Sequence, residues 1–409
     1  MPLRFASRPS SKVLTAAGCA ALSFIVAIAG CGDSSDGAAG GEESTGLPTR
    51  GSVDVALPIA VDDDAAAGRD NGAGPLNGGA GMDARAGANA GAVPDQDAAA
   101  DAPSGESPTV AAHPNLDLSS NRLETTVVAP SRADQEIASS TVAQQEFAIW
   151  DTRVKAQRES LVVLIPSEGA DPAAQIDLGT IVAGYGFHVV LPGFVNRGFS
   201  IPPCATGPRC SAAALYQERL EGIDSSDGIT VAPPDGLERR IARMLSFMAG
   251  VNPAGDWGFY LSGDKPRWER VIVGGFSEGG TMAVFTSLHR VVSRVVMLGA
   301  PWAPGQGWVT SENAQTPSDA LYGFVHQMAD RYQEITLEWM ALSLVPLGPL
   351  ALVDGATAPY GPSHRLQSNA IVRSALCAHF SVAPGDCSPK RADGSYLYEP
   401  VWRYLFTGE

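Results

Sequence analysis

The segment RVIVGGFSEGGTM, residues 270–282, constrains the fold more than any other part of the chain. Its β-branched residues at 271–273 predict a buried strand, and residues 281–290 predict a helix. The glycines between them allow a turn so tight that larger side chains would collide with the neighbouring strand or helix. The segment therefore predicts a strand, a glycine-lined turn and a helix in direct succession.

Residues 113–409 alternate short β-branched runs with longer helical segments. This alternation predicts an α/β fold with a mostly parallel central sheet flanked by helices. The predicted strands are 161–165, 187–191, 271–273, 294–298 and 321–325, and the predicted helices are 173–183, 235–248 and 281–290. All seven tryptophans lie in residues 113–409, which are long enough for one large domain with a substantial core.

The first 30 residues have the pattern of a secretory signal peptide. Arg4, Arg8 and Lys12 precede an apolar stretch at 13–29, and residues 28–31, Ile-Ala-Gly-Cys, resemble a bacterial lipobox. The resemblance implies cleavage before Cys31 and attachment of lipid to that cysteine, which would hold the chain to a membrane without a spanning helix. Gly32 after the cysteine favours the outer membrane of the cell envelope. An ordinary signal peptide or a signal anchor is the alternative.

Residues 31–112 have the composition of a disordered tether. Positions 32–112 contain 15 Gly and 20 Ala, no aromatic residue, and 14 acids against three arginines. A segment with so little apolar bulk does not offset the entropy of ordering it. Its acids lack the spacing of a calcium loop, so a solvated spacer is the better interpretation. Residues 113–409 then carry a net charge of −8 without a basic cluster, which argues against nucleic acid as a partner.

Four cysteines, Cys204, Cys210, Cys377 and Cys387, remain in the predicted domain. Export favours disulfides, and of the three possible pairings the local one closes two small loops, 204–210 and 377–387. A zinc site is the alternative, but no pair has the C-x-x-C spacing. We therefore predict two disulfides and no metal.

The residues Gly275-Phe276-Ser277-Glu278-Gly279 fit G-x-S-x-G, which is a nucleophile elbow when it lies between a strand and a helix. A strained turn at this position would expose the Ser277 hydroxyl. The alternative is a glycine-rich turn with an idle serine.

A serine hydroxyl becomes a good nucleophile only when a base takes its proton. The chain order of an elbow site is serine, acid, histidine, which leaves His364 and His379 as the base because His326 comes too early. We favour His379, because the predicted 377–387 disulfide would hold it in place. Asp330, just beyond the strand 321–325, is the predicted acid; Asp319 and Asp354 are the alternatives.

Backbone N–H groups must also stabilise the negative charge that develops on a carbonyl oxygen during acyl transfer. The N–H of Glu278, directly after the serine, is one predicted donor. The N–H of Glu168, in the loop IPSEGAD after the first predicted strand, is the other. Two carboxylates beside such a site are tolerable if only the backbones of these residues face the site and the carboxylates point to solvent.

These features together resemble the α/β-hydrolase superfamily, and more narrowly a little-characterised group of secreted bacterial α/β hydrolases. The matching segments are WERVIVGGFSEGGTMAVF, RVVMLGAP, YGFVH with Asp330, AHFSV and YEPVWRYLF, the last containing the C-terminal W-R-Y-L. The resemblance implies Ser277, Asp330 and His379 as a catalytic triad. The chain departs from the group's Pro-Gly-Thr-Gly-Gly loop at 166–170 and from its Gly-His-Ser-Gln-Gly elbow at Phe276 and Glu278.

The sequence thus predicts an exported, membrane-tethered serine hydrolase that cleaves an ester or related acyl bond and needs no cofactor. Peptidase, lipase, polyester depolymerase and acyltransferase activities all fit the same residues, and the sequence does not set the oligomeric state. The alternative from a different class is a catalytically silent α/β-hydrolase domain that acts as a surface binding module.

Overall fold

The computed structural model describes residues 122–139, 144–153, 160–196, 207–303, 307–312 and 314–409. The predicted signal peptide, the lipid site at Cys31, the predicted tether at 31–112 and Cys204 lie outside these residues. The description below therefore concerns the predicted domain alone.

Among the described residues, nine strands form one sheet and two more form a separate hairpin. In chain order the strands are β1 (Leu123–Val128), β2 (Glu146–Asp151), β3 (Leu161–Ile165), β4 (His188–Leu191), β5 (Leu261–Ser262), β6 (Lys265–Pro266), β7 (Val271–Phe276), β8 (Arg294–Leu298), β9 (Leu321–His326), β10 (Leu350–Leu352) and β11 (Arg365–Ser368). The large sheet has the order β1-β2-β4-β3-β7-β8-β9-β11-β10, and β5 and β6 form the hairpin.

The large sheet is mostly parallel, which confirms the predicted fold class. Strand β2 runs antiparallel to its neighbours β1 and β4. Every other pair of neighbours in this sheet is parallel. The carboxyl ends of β3, β7, β8 and β9 therefore meet at one edge, where loops from different parts of the chain come together.

Helices cover both faces of the sheet. They are α1 (Pro130–Ala133), α2 (Ile176–Gly184), α3 (Ala212–Glu221), α4 (Leu237–Val251), α5 (Glu278–His289), α6 (Tyr332–Ala341), α7 (Ala375–Ser381) and α8 (Glu399–Thr407). No helix of the described residues is long and apolar enough to cross a membrane.

The hydrophobic core has two layers because side chains alternate between the faces of a strand. Leu161, Val163 and Ile165 of β3 pack in one cluster with residues of α3, α4, α5 and α6. Val162 and Leu164 pack in the other cluster with residues of α2 and α8. Helix α4 buries its predicted apolar face completely, with Leu237, Ile241, Met244, Leu245 and Met248 all at 0% exposure.

The predicted elements agree with the structure apart from their ends. The helix after the elbow begins at Glu278 rather than Thr281, so it starts immediately after the serine. The strands β1, β2, β5, β6, β10 and β11 were not predicted.

Candidate active site

Ser277 lies at the turn between β7 and α5 in a strained backbone conformation. Its φ of 54° and ψ of −121° are rare for a residue with a side chain. Such strain persists only where the surrounding structure imposes it, and it clusters at functional sites. The turn is fixed on both sides, because the Ser277 N–H donates to the Leu298 carbonyl and the Ser277 carbonyl accepts from the Thr281 N–H.

The two glycines of the G-x-S-x-G pattern are required by close backbone approaches. A Cβ on Gly279 would lie 1.9 Å from the carbonyl oxygen of Ile165, and a Cβ on Gly275 would lie 2.5 Å from the backbone of Gly279. Real Cβ atoms do not approach other atoms so closely. The serine turn and the end of β3 are therefore packed directly against each other.

His379 reaches Ser277 from helix α7, far along the chain. Its Nε2 lies 3.1 Å from the Ser277 Oγ, within hydrogen-bond distance, although 102 residues separate them. Gly299, directly after β8, makes room for the ring, since a Cβ there would lie 3.1 Å from the His379 Cε1. The structure thus brings together the predicted nucleophile and the favoured base.

Two contacts hold α7 in place beside the elbow. A disulfide joins Cys377, at the start of the helix, to Cys387. The indole N–H of Trp402 in α8 donates to the carbonyl of Val382 over 2.8 Å. The W-R-Y-L segment therefore supports the histidine helix through the buried side chain of Trp402. The second predicted disulfide includes Cys204 and so lies outside the described residues.

The charge state of His379 is set by burial and by two neighbouring charges. Burial lowers the pKa of the imidazole, Arg331 lowers that pKa further, and Asp330 raises it, with a net lowering. The Nδ1 atom has no hydrogen-bond partner among the described residues. Asp330 thus acts on the ring electrostatically, from the turn that follows β9, without a hydrogen bond to it. A neutral imidazole is the form that accepts a proton.

The alternative residues lie elsewhere in the sheet. His364 precedes β11, where its Nδ1 lies 3.0 Å from the Leu321 carbonyl and its ring stacks on Tyr322. Asp319 comes just before β9 and acts electrostatically on His364. Because these strands are parallel to β7, both residues are at the edge opposite Ser277. Asp354 accepts hydrogen bonds from Ser368 and from the Asn369 N–H.

The loop after β3, which carries Glu168, is held by a side chain that the sequence did not reveal. The amide of Asn196 is buried and donates to the carbonyls of Ser167 (2.7 Å) and Ala170 (2.8 Å). The Gly169 N–H in turn donates to the Asn196 carbonyl, with Gly169 at a φ of +68°. These bonds fix the backbone on either side of Glu168.

The condition that the two carboxylates point to solvent does not hold for Glu278. Its carboxylate is buried, at 6% exposure, and pairs with Arg219 over 2.7 Å and with the Tyr216 hydroxyl over 2.8 Å. Both partners lie on α3 and are themselves fully buried. A buried carboxylate needs a paired cation and hydrogen bonds, and α3 supplies both.

Glu168 is exposed, but it lies within electrostatic range of the same cluster. Partial desolvation and the charge of Glu278 raise the pKa of Glu168, and Arg219 and Arg331 oppose this rise. The site therefore contains three carboxylates, those of Glu168, Glu278 and Asp330, and two guanidinium groups, those of Arg219 and Arg331. In the described residues, no group of three or more His, Cys, Asp or Glu side chains is arranged to hold a metal ion.

A mostly parallel sheet with one antiparallel strand near its edge, and a strained serine between the central strand β7 and a helix, define the α/β-hydrolase fold.

No protein-family model and no curated protein sequence matches the chain. Among solved structures, it is similar to a "Putative Dienelactone Hydrolase" from Klebsiella pneumoniae, with 10% identity over 71% of this chain and 100% of that chain, at a TM-score of 0.32. It is also similar to an acetyl xylan esterase from Aspergillus awamori, with 13% identity over 54% of this chain and 80% of that chain, at a TM-score of 0.31. At these identities and TM-scores, neither likeness assigns a reaction to this chain.

Proposed function

We propose that the protein is an exported, membrane-tethered serine hydrolase that cleaves an ester or related acyl bond. The observation that carries this proposal is the 3.1 Å contact between the Ser277 Oγ and the His379 Nε2 at a strained turn. A nucleophile and a base within hydrogen-bond distance are the minimum arrangement for covalent acyl transfer.

In the first step, Ser277 attacks the acyl carbonyl and His379 takes the hydroxyl proton. The carbonyl oxygen becomes an anion near the N–H groups of Glu278 and Glu168. Glu278 is the first residue of α5, where N–H groups lack an intrahelical acceptor and the helix dipole is positive. His379 then gives its proton to the leaving alcohol, which departs and leaves the acyl group on Ser277.

In the second step, water attacks the acyl-enzyme while His379 takes a proton from it. Collapse of the second tetrahedral intermediate releases the acid, and His379 returns the proton to the Ser277 oxygen. The negative charge of Asp330 stabilises the imidazolium in both steps, as its effect on the pKa of His379 indicates. The mechanism is complete with groups of this chain and water.

Labelling with a fluorophosphonate tests the reaction. The full chain, prepared under oxidising conditions, is expected to carry the label on Ser277, as located by peptide mass. Ser277→Ala and His379→Ala are expected to abolish labelling. His364→Ala is the matched control, since that ring lies at the opposite edge of the sheet, and it is expected to leave labelling intact.

An unlabelled but folded wild-type protein would contradict the proposal and favour the silent binding module. Labelling that depends on His364 and not on His379 would reassign the base.

Export and tethering rest on the sequence pattern of residues 1–31 and have their own test. Expression in a bacterium supplied with a radiolabelled fatty acid is expected to label the chain, and Cys31→Ser is expected to remove the label. Equal labelling of both forms would contradict a lipid on Cys31.

A further inference from the structure

Four large apolar side chains are exposed in the segments that carry Asp330 and His379. They are Met328 at 52%, Ile371 at 98%, Leu376 at 65% and Phe380 at 46% exposure. We refer to these four residues as the apolar collar. Exposed apolar residues scattered singly are normal, but neighbouring ones mark surfaces that bind something.

The collar is continuous with the candidate active site through α7. This helix turns Cys377, Ala378 and His379 inward and exposes Leu376 and Phe380, which are four residues apart and so share a face. The Phe380 ring lies 5.3 Å from that of Phe276 and 5.7 Å from that of His379. One short helix therefore carries the histidine and, close to it, exposed apolar side chains.

Met328 and Ile371 belong to two segments joined by His326. The Met328 N–H donates to the His326 Nδ1 over 3.1 Å, and the His326 Nε2 lies 2.9 Å from the Ala370 carbonyl. Met328 is also two residues before Asp330. Met328 and Ile371 therefore lie on neighbouring segments that follow β9 and β11, at the edge of the sheet that carries Ser277.

We propose that the apolar collar binds the hydrocarbon chain of the acyl group during hydrolysis, so that the enzyme acts on esters of medium-length and longer fatty acids. This inference rests on the proposed function. Each methylene group buried against apolar side chains is worth about fourfold in affinity, so a chain that reaches the collar is bound measurably more tightly than a short one.

The test compares two esters that differ only in chain length. We expect kcat/KM for 4-nitrophenyl octanoate to exceed that for 4-nitrophenyl butyrate by at least about tenfold in the wild-type full chain, below the concentration at which the octanoate forms micelles. The ratio of the two kcat/KM values is the readout, because it cancels any change in the reaction chemistry common to both substrates.

Leu376→Ser and Ile371→Ser are expected to lower this ratio, and the double variant to lower it further, by about tenfold in all. Leu376→Met keeps an apolar side chain of similar size and is expected to keep the ratio. Val251→Ser is the matched control: Val251 is 52% exposed at the end of α4, outside the collar, and its replacement is expected to leave the ratio unchanged.

A wild-type ratio near one, or a ratio that Leu376→Ser and Ile371→Ser do not change, would overturn the collar proposal while leaving the hydrolase intact. Failure to hydrolyse either ester, with Ser277 unlabelled, would overturn both. The other possible occupant is a membrane. If the two serine variants weaken binding of the Cys31→Ser chain to phosphatidylglycerol vesicles but do not alter the ratio, the collar is a membrane contact and the acyl-chain proposal is wrong.

Discussion

Asp330 influences His379 through its charge and not through a hydrogen bond. It raises the pKa of the imidazole against burial and Arg331, which both lower it, while the Nδ1 atom has no hydrogen-bond partner among the described residues. Catalytic hydrogen bonds are often long or unformed before substrate binds. The electrostatic relationship between these two residues is therefore the property to test first.

Removing the charge of Asp330 and removing the charge of Arg331 should shift the acidic limb of the pH–rate profile in opposite directions. The base must be neutral, so kcat/KM falls as pH drops through its pKa. Asp330→Asn removes the charge that raises this pKa, and the limb is expected to move to lower pH. Arg331→Met removes a charge that lowers it, and the limb is expected to move to higher pH. Profiles of kcat/KM from pH 4 to 9, measured with the butyrate ester, check both; unchanged limbs would contradict the assignment.

The buried pair of Arg219 and Glu278 should matter for both stability and catalysis. Arg219→Met leaves a buried carboxylate without its cation, which costs about 3–5 kcal/mol of unfolding free energy. Under the proposed mechanism, the uncompensated charge also lies beside the anion of the transition state, so we expect about 10- to 100-fold lower kcat with little change in KM. Arg219→Met/Glu278→Gln removes both charges and is expected to recover most of each loss.

A double-mutant cycle for this pair compares the wild type, the two single variants and the double variant. Urea denaturation measures the free energy of unfolding of each, and steady-state kinetics measures kcat and KM. Phenylboronic acid, which forms an anionic tetrahedral adduct with an active serine, gives an independent measure. We expect it to bind Arg219→Met more weakly and Glu278→Gln no more weakly than the wild type. A double variant that is as impaired as Arg219→Met would mean that Arg219 only packs α3 against α5.

Gly279 and Gly250 should respond to alanine in opposite ways. Gly279→Ala places a Cβ 1.9 Å from the Ile165 carbonyl oxygen, and the backbone must shift at a cost of about 3 kcal/mol or more. Gly250 lies in α4 with no atom within 4 Å of an added Cβ, so Gly250→Ala is expected to stabilise by about 0.5–1 kcal/mol. Thermal denaturation measures both. A Gly279→Ala protein as stable and active as the wild type would show that the close approach is not required.

Glu338 should make the stability depend on pH. It is buried on α6 and accepts a hydrogen bond from the Ala303 N–H, and burial raises its pKa from 4.5 to about 7. Between about pH 4.5 and 7, the folded state therefore keeps a proton on Glu338 that the unfolded state has released. The free energy of unfolding that this proton supports is present below pH 4.5 and is lost as pH rises to about 7. Glu338→Gln removes the effect, so its stability relative to the wild type should improve by up to about 3 kcal/mol between pH 4.5 and 7. Urea denaturation at several pH values measures this; a difference independent of pH would contradict it.

The sequence predicted the centre of the fold because its signals there are local. The β-branched run of β7, the glycines around Ser277 and the apolar face of α4 each lie within 15 residues or fewer, and each was predicted from spacing alone. Gly279 and Ile165 are far apart in the sequence, so the contact between them is not a local signal. A glycine at position 279 nevertheless indicates a close backbone contact.

The remainder depends on contacts that leave no local pattern. Arg219 and Glu278 are 59 residues apart, and nothing in the sequence around either indicates a buried ion pair. Asn196 follows no motif, and its role appears only once the loop that it holds is seen in three dimensions. The strand β1 alternates weakly at the edge of the sheet and was missed for that reason.

Because the chain is synthesised from its N-terminus, the contact between Trp402 and Val382 affects when the site can form during synthesis. Ser277 and its elbow are complete long before His379, and the helix that carries His379 is held by a tryptophan made later still. A chain interrupted between the two would display a serine with no base held against it. Under the proposed mechanism, a nascent chain therefore stays inactive until α8 has been made and has docked.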